Sequence, residues 1–135
     1  MSPKLNYFKN KDSAEKLHSY LIGLPNVIVD DSAKAASIGY YVEGQKYKFA
    51  TLVAASYQSL VLHVDPGERS TELGKVLQEE VQMFLEFDIR SIRKHTLKAN
   101  EVYIPLEKLD GTDLVESIRK YIEYAYRKRD GVARK

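Results

Sequence analysis

Cysteine and tryptophan are both absent from this chain of 135 residues, and proline occurs only four times. Without cysteine there are no disulfides, thiolate metal sites or cysteine nucleophiles, a composition that fits a reducing compartment; the expected localisation is cytoplasmic. No stretch approaches the roughly 18 consecutive apolar residues that a membrane span requires. The opening Met1-Ser-Pro-Lys-Leu-Asn6 has no apolar core of a secretion signal. Neither charge sign dominates: 21 basic against 19 acidic side chains leave +2, too little to mark a nucleic-acid binder by composition alone. Also missing are the Gly-x-Ser-x-Gly elbow, the Gly-x-x-x-x-Gly-Lys-Ser/Thr loop and the Gly-x-Gly-x-x-Gly fingerprint. These absences point away from an enzyme and from a bound cofactor.

What is present is an ordinary globular composition, 44% apolar and 30% charged, at the length of one domain. Residues 1–11 read as a flexible arm, with Tyr7 and Phe8 as the residues able to pin it to the body, 12–129 as a single α+β domain and 130–135 as a basic tail. Asp12 and Glu15 have capping-box spacing, and Leu17, Tyr20, Leu21 and Leu24 share a helical face that Gly23 and Pro25 end. A short apolar run, Val27-Ile-Val29, follows. The period then becomes two. Ile38, Tyr40 and Val42 alternate up to a Glu43-Gly44-Gln45 turn; Tyr47, Phe49, Thr51 and Val53 continue, with Lys46 and Lys48 on the opposite side; Leu60, Leu62 and Val64 form a third run. Short connections predict an antiparallel meander.

Helical spacing returns over 70–87 with Leu73, Val76, Leu77, Val81, Phe84 and Leu85. Val102, Ile104 and Leu106 then make the inward face of a fourth strand. Pro105, lacking an N–H, predicts an edge or an irregularity there. A final helix over 113–129 carries a stripe of Leu114, Ile118, Tyr121, Ile122 and Ala125, with Glu116–Lys120 and Glu123–Arg127 as i,i+4 pairs. The expectation is an α+β fold with a roughly four-stranded, mainly antiparallel sheet covered by N-terminal, middle and C-terminal helices.

Positive charge gathers at residues 90–98, where Arg90, Arg93, Lys94, His95 and Lys98 form a basic turn. Such groups hold phosphates, and Lys46 and Lys48 on the central hairpin are expected to join them. Tyr41 and Tyr103 offer stacking faces for unpaired bases. The plainer alternative is a solvated turn whose arginines pair with Glu86, Asp88 and the acidic helix before them. Ten tyrosines raise two further readings, plain packing against the sheet, or a tyrosine-lined groove between the sheet and the C-terminal helix, with Tyr41, Tyr103 and Tyr121 as its candidates, that takes a small ligand or peptide. His18, His63 and His95 have no metal-ligand spacing, so no metal is expected. His63 reads as a half-buried strand residue.

Three segments together carry a family resemblance: Tyr47-Lys-Phe49 with Leu60-Val-Leu-His-Val64; the turn holding Asp88, Ile92 and His95; and Val102-Tyr-Ile-Pro-Leu106 leading to Tyr121-Ile-Glu-Tyr-Ala-Tyr126. Over residues 12–128 the chain resembles a small bacterial and archaeal domain family labelled "predicted transport protein", similar to the YjbR/MmcQ-like fold. The resemblance implies a helix, an antiparallel sheet and a closing C-terminal helix; for YjbR-like proteins it also implies a DNA-binding role. Where the family pattern is rich in glycine and aromatics, this chain has Thr96-Leu-Lys-Ala-Asn100. The expected partners are a nucleic acid or an acidic protein, with no membrane, and a homodimer formed through an exposed sheet edge or the tyrosine-rich helix is the alternative.

Overall fold

The computed structural model describes residues 3–32, 34–54, 58–64, 73–89, 101–109 and 114–133, with the side chains of 73, 114 and 128–133 excepted. Its elements are helix α1 (Lys11–Ile22), strands β1 (Val27–Asp30), β2 (Ser37–Val42), β3 (Ala50–Val53) and β4 (Ser59–His63), helix α2 (Leu73–Leu85), strand β5 (Glu101–Pro105) and helix α3 (Leu114–Ala133). The five strands lie in chain order, β1-β2-β3-β4-β5, and every neighbouring pair is antiparallel. This is the expected α+β class with one strand more than the alternation revealed. The additional strand is the run Val27-Ile-Val29, too short and too exposed to show a period.

One face of the sheet carries Ile38, Tyr40, Ala50, Leu52, Leu60, Leu62, Val102 and Ile104, all fully buried. Register makes that face continuous: Ile38 sits opposite Leu52, Leu52 opposite Leu60, and Leu60 opposite Ile104. Leu17 and Leu21 from α1, and Ile118, Tyr121, Ile122 and Ala125 from α3, close over it. Fully burying one such aliphatic side chain stabilises the fold by about 1.5–3 kcal/mol. The opposite face holds a smaller cluster of Val61, Tyr103 and Ile89.

The alternation expected for residues 47–53 is interrupted. Phe49 N–H bonds the Tyr40 carbonyl, although the register partner of Tyr40 is Ala50. Two residues therefore face one, the count of a β-bulge. Phe49 and Ala50 both enter the core, Leu52 rather than Val53 continues inward, and Tyr47 turns outward.

Four local expectations change. The N-cap of α1 is Asn10; Asp12 lies in the first turn and pairs with Lys16 at 3.2 Å. Residues 3–7, read as part of a flexible arm, form a 3₁₀ turn that buries Leu5, with Phe8 buried just after it. Gln58 fastens this segment, its amide bonding the Lys9 N–H and the Tyr7 carbonyl. On α2 the buried face runs through Gln78 and Val81, while Val76 and Phe84 are exposed beside Met83. On α3, Glu123–Arg127 forms as expected, but Glu116 takes Arg119 and Lys120 reaches Glu80 on α2.

The edges of the sheet differ. Leu106 N–H bonds the Gln58 carbonyl, so by antiparallel alternation Tyr103 and Pro105 turn their backbone groups away from β4. Pro105 has no N–H to leave unpaired, and its edge placement follows. Tyr103 is met by Gln78: the side-chain Oε1 accepts the Tyr103 N–H at 2.6 Å, and Nε2 donates to the Tyr103 carbonyl at 3.0 Å. A buried glutamine on α2 thus pairs with β5 as another strand would.

Candidate functional site

The β2–β3 connection presents the only predicted cations that fall within the described residues. Gly44, at φ 85°, supplies the left-handed position that tightens the turn, closed by Gln45 N–H to the Val42 carbonyl at 2.9 Å. The bulge then anchors Phe49, whose ring meets Tyr126 edge-on at 5.5 Å. With Phe49 held inward, Tyr47 remains 49% exposed, and Lys46 Nζ lies 5.5 Å from its ring centroid. Such a cation–π contact contributes about 0.5–1 kcal/mol at an exposed site.

Lys48 runs differently. Its stem lies along Gly39, where an added Cβ would stand 2.8 Å from Lys48 Cε. Asp30, opposite Gly39 in the register, has its carboxyl held below the usual range, first by Ser32 and further by the charge of Lys48. An acid therefore shares the surroundings of Lys48. Arg90, Arg93, Lys94, His95 and Lys98 lie outside the described residues, and so does any convergence of theirs with the hairpin. Of the tyrosines proposed as stacking or pocket residues, Tyr41 is half-buried opposite Ile28. Tyr103 is 4% exposed and donates to Glu101 at 2.6 Å, so its ring presents no open face. Tyr121 is buried and donates to Glu80 at 2.8 Å; burial, then that carboxylate, pushes its hydroxyl pKa up.

A polar network that sequence reasoning missed crosses three strands on the far face of the sheet. Thr51 Oγ1 lies 3.0 Å from His63 Nε2, His63 Nδ1 lies 3.1 Å from Glu101 Oε2, and Tyr103 holds the other Glu101 oxygen. The half-buried placement expected of His63 is observed. Hydroxyl, imidazole and carboxylate stand in the order of an acyl-transfer triad. Thr51, however, is only 9% exposed, and the described polar atoms of the network are engaged with one another. The arrangement braces β3, β4 and β5. Its one signal in the chain is polar residues at alternate strand positions, which means nothing until the register is known.

Beside α3 lies an open depression of about 380 Å³ lined by Lys120, Glu123, Tyr124 and Arg127. All four lining residues come from α3. Glu123, held below the ordinary carboxylate range first by Arg119 and then by Tyr20, is already occupied. Among the described residues no group of three or more His, Cys, Asp or Glu side chains could hold a metal ion, and no helix is long and apolar enough to cross a membrane. Comparison with protein-family models, curated proteins and solved structures finds no match to this chain.

Proposed function

We propose that the domain is a non-enzymatic binding module that contacts the phosphates of a nucleic acid through the Lys46-Tyr47-Lys48 connection together with the basic residues of segment 90–98. The observation that carries this reading is Tyr47, an exposed ring with a lysine ammonium over its face, raised on a hairpin by the bulge behind it. A cation attracts the backbone while the ring stacks on an unpaired base. The reading keeps the DNA-binding role implied by the resemblance to YjbR-like proteins. Fluorescence polarisation with single- and double-stranded DNA and RNA, beginning at about 50 mM salt, tests it. Binding weakens steeply with salt, and the log–log slope shrinks by about one for each phosphate-contacting residue changed among Lys46→Ala, Arg90→Ala and Arg93→Ala. Tyr47→Ala weakens single-strand binding more than double-strand binding. Absence of binding to all four nucleic acids at that salt refutes the proposal.

The depression on α3 favours a second reading, a small-ligand site at Tyr124 between Lys120 and Arg127. It predicts chemical-shift changes confined to those residues in a fragment screen.

A further inference from the structure

Among the described residues the sheet has one largely closed edge and one open edge. At β5, proline removes one outward donor and Gln78 occupies the backbone groups of Tyr103. At β1 the situation is reversed. Glu43 N–H bonds the Asn26 carbonyl at 2.8 Å, so Asn26 and Glu43 are a hydrogen-bonded pair. Alternation along an antiparallel ladder then makes Ile28–Tyr41 and Asp30–Gly39 bonded pairs, and turns the N–H and C=O of Val27 and Val29 away from β2. No described residue meets those groups. The strand carries no lysine or proline, its one charge is Asp30 at the end, and Ile28 and Val29 are apolar and open, at 48% and 36% exposed.

We infer that β1 is a self-pairing edge: two copies of this chain join β1 to β1 in antiparallel fashion, about a two-fold axis through Ile28, into one continuous ten-stranded sheet.

Only one register serves the outward groups. It places Val27 of one copy opposite Val29 of the other, and the reverse, each pair exchanging both backbone hydrogen bonds. Ile28 then faces Ile28 across the non-bonded position, where side chains approach most closely. The three central pairs are apolar, with Asp30 falling opposite Asn26 at either end, and paired residues share a face of the sheet, so the exposed isoleucines cover one another while the valines extend the layer beneath α1. Self-complementarity of this kind is what an isologous contact requires. The closed β5 edge decides the occupant. Were β5 also open, β1 of one copy could pair with β5 of the next and the sheet would grow without limit. With β5 capped, β1 finds its complement only in another β1, and assembly stops at two.

Sedimentation velocity on the full chain between about 1 and 100 μM tests the inference, a span over which a micromolar Kd, about −8 kcal/mol, shows as a change from monomer to dimer. The expected result is a species of twice the 15.5 kDa chain mass that dissociates on dilution. Ile28→Lys places two ammonium groups face to face on the axis and leaves a monomer. Val29→Pro removes an outward N–H that β2 does not use, and also leaves a monomer. Hydrogen exchange on the unaltered protein needs no variant: the amides of Val27 and Val29 slow by at least about tenfold from dilute to concentrated solution, since pairing must be broken before exchange. A wild-type chain that remains monomeric throughout overturns the inference. So does a dimer that persists in Ile28→Lys, or one that leaves the Val27 and Val29 amides unprotected.

Discussion

Replacing Gln78 by leucine keeps roughly the same volume on α2 and deletes the amide that closes the β5 edge. Two backbone groups then lose their partners: the Tyr103 N–H, bonded at 2.6 Å, and the Tyr103 carbonyl, bonded at 3.0 Å. Water does not replace them easily, because Tyr103 is almost fully buried and Gln78 completely so. Each buried group left unpaired costs about 1–3 kcal/mol. Leucine recovers part of this by its apolar transfer, so the net loss is about 2–4 kcal/mol. Urea unfolding followed by circular dichroism measures it as a lower midpoint at an unchanged slope. Gln78→Glu separates hydrogen bonding from packing. Its carboxylate can still accept the Tyr103 N–H, but it sets an oxygen against the Tyr103 carbonyl and against Gln82 Oε1, which Gln78 now reaches at 3.2 Å. Those contacts raise the folded pKa of the new acid. Its destabilisation is therefore greatest at neutral pH and is relieved on acidification, when a protonated carboxyl can donate. A loss below about 0.5 kcal/mol in Gln78→Leu would refute the claim that this amide acts as a substitute strand.

Other outcomes follow from the same packing. His18 is buried with Nδ1 2.7 Å from the Tyr40 hydroxyl, and burial lowers its pKa from 6.5. The unfolded chain thus binds the proton more readily, so stability holds above pH 6.5 and declines as pH falls below it towards the folded value, visible as a decreasing urea midpoint. Tyr40→Phe orphans the imidazole nitrogen and costs about 1–3 kcal/mol in the same assay. The Ser59 hydroxyl is buried without a hydrogen-bond partner among the described residues, so Ser59→Ala is neutral or raises stability by up to about 1 kcal/mol in thermal melts. Tyr121→Phe, which frees Glu80 from a part-buried bond, costs about 0.5–1.5 kcal/mol, whereas Lys120→Ala, which breaks a solvent-screened pair with the same carboxylate, leaves the midpoint close to that of the unaltered chain.

The parts of this fold legible in the sequence are those set by near neighbours in the chain. Alternation and the Gly44 turn revealed β2 and its hairpin; Pro105 announced an edge; the stripe of Ile118, Tyr121, Ile122 and Ala125 announced α3. What failed to show depends on distant partners. The inward turn of Ala50 and Leu52 follows from a bulge that exists only in the pairing with Tyr40. Gln78 looks like a surface residue until β5 is laid beside it. His63 and Glu101 become neighbours only through the β4–β5 register. On the candidate site, Lys46 was legible as an outward cation, but the exposure of Tyr47 was not, because the bulge that turns it outward exists only in the pairing with β2. The inward fate of Tyr103 was not, because Ile89 and Val61 cover it from other elements.

Because each strand lies beside its immediate predecessor, the sheet has an assembly order written into its connectivity. The hairpins from β1 to β4 close short loops, and short loops cost little entropy and form early. As the chain leaves a ribosome, each new strand meets a template already waiting for it. The last strand alone must cross over α2 first, so it should dock late, and an interrupted synthesis would leave a four-stranded ribbon with Leu60 and Leu62 laid bare for unwanted contacts.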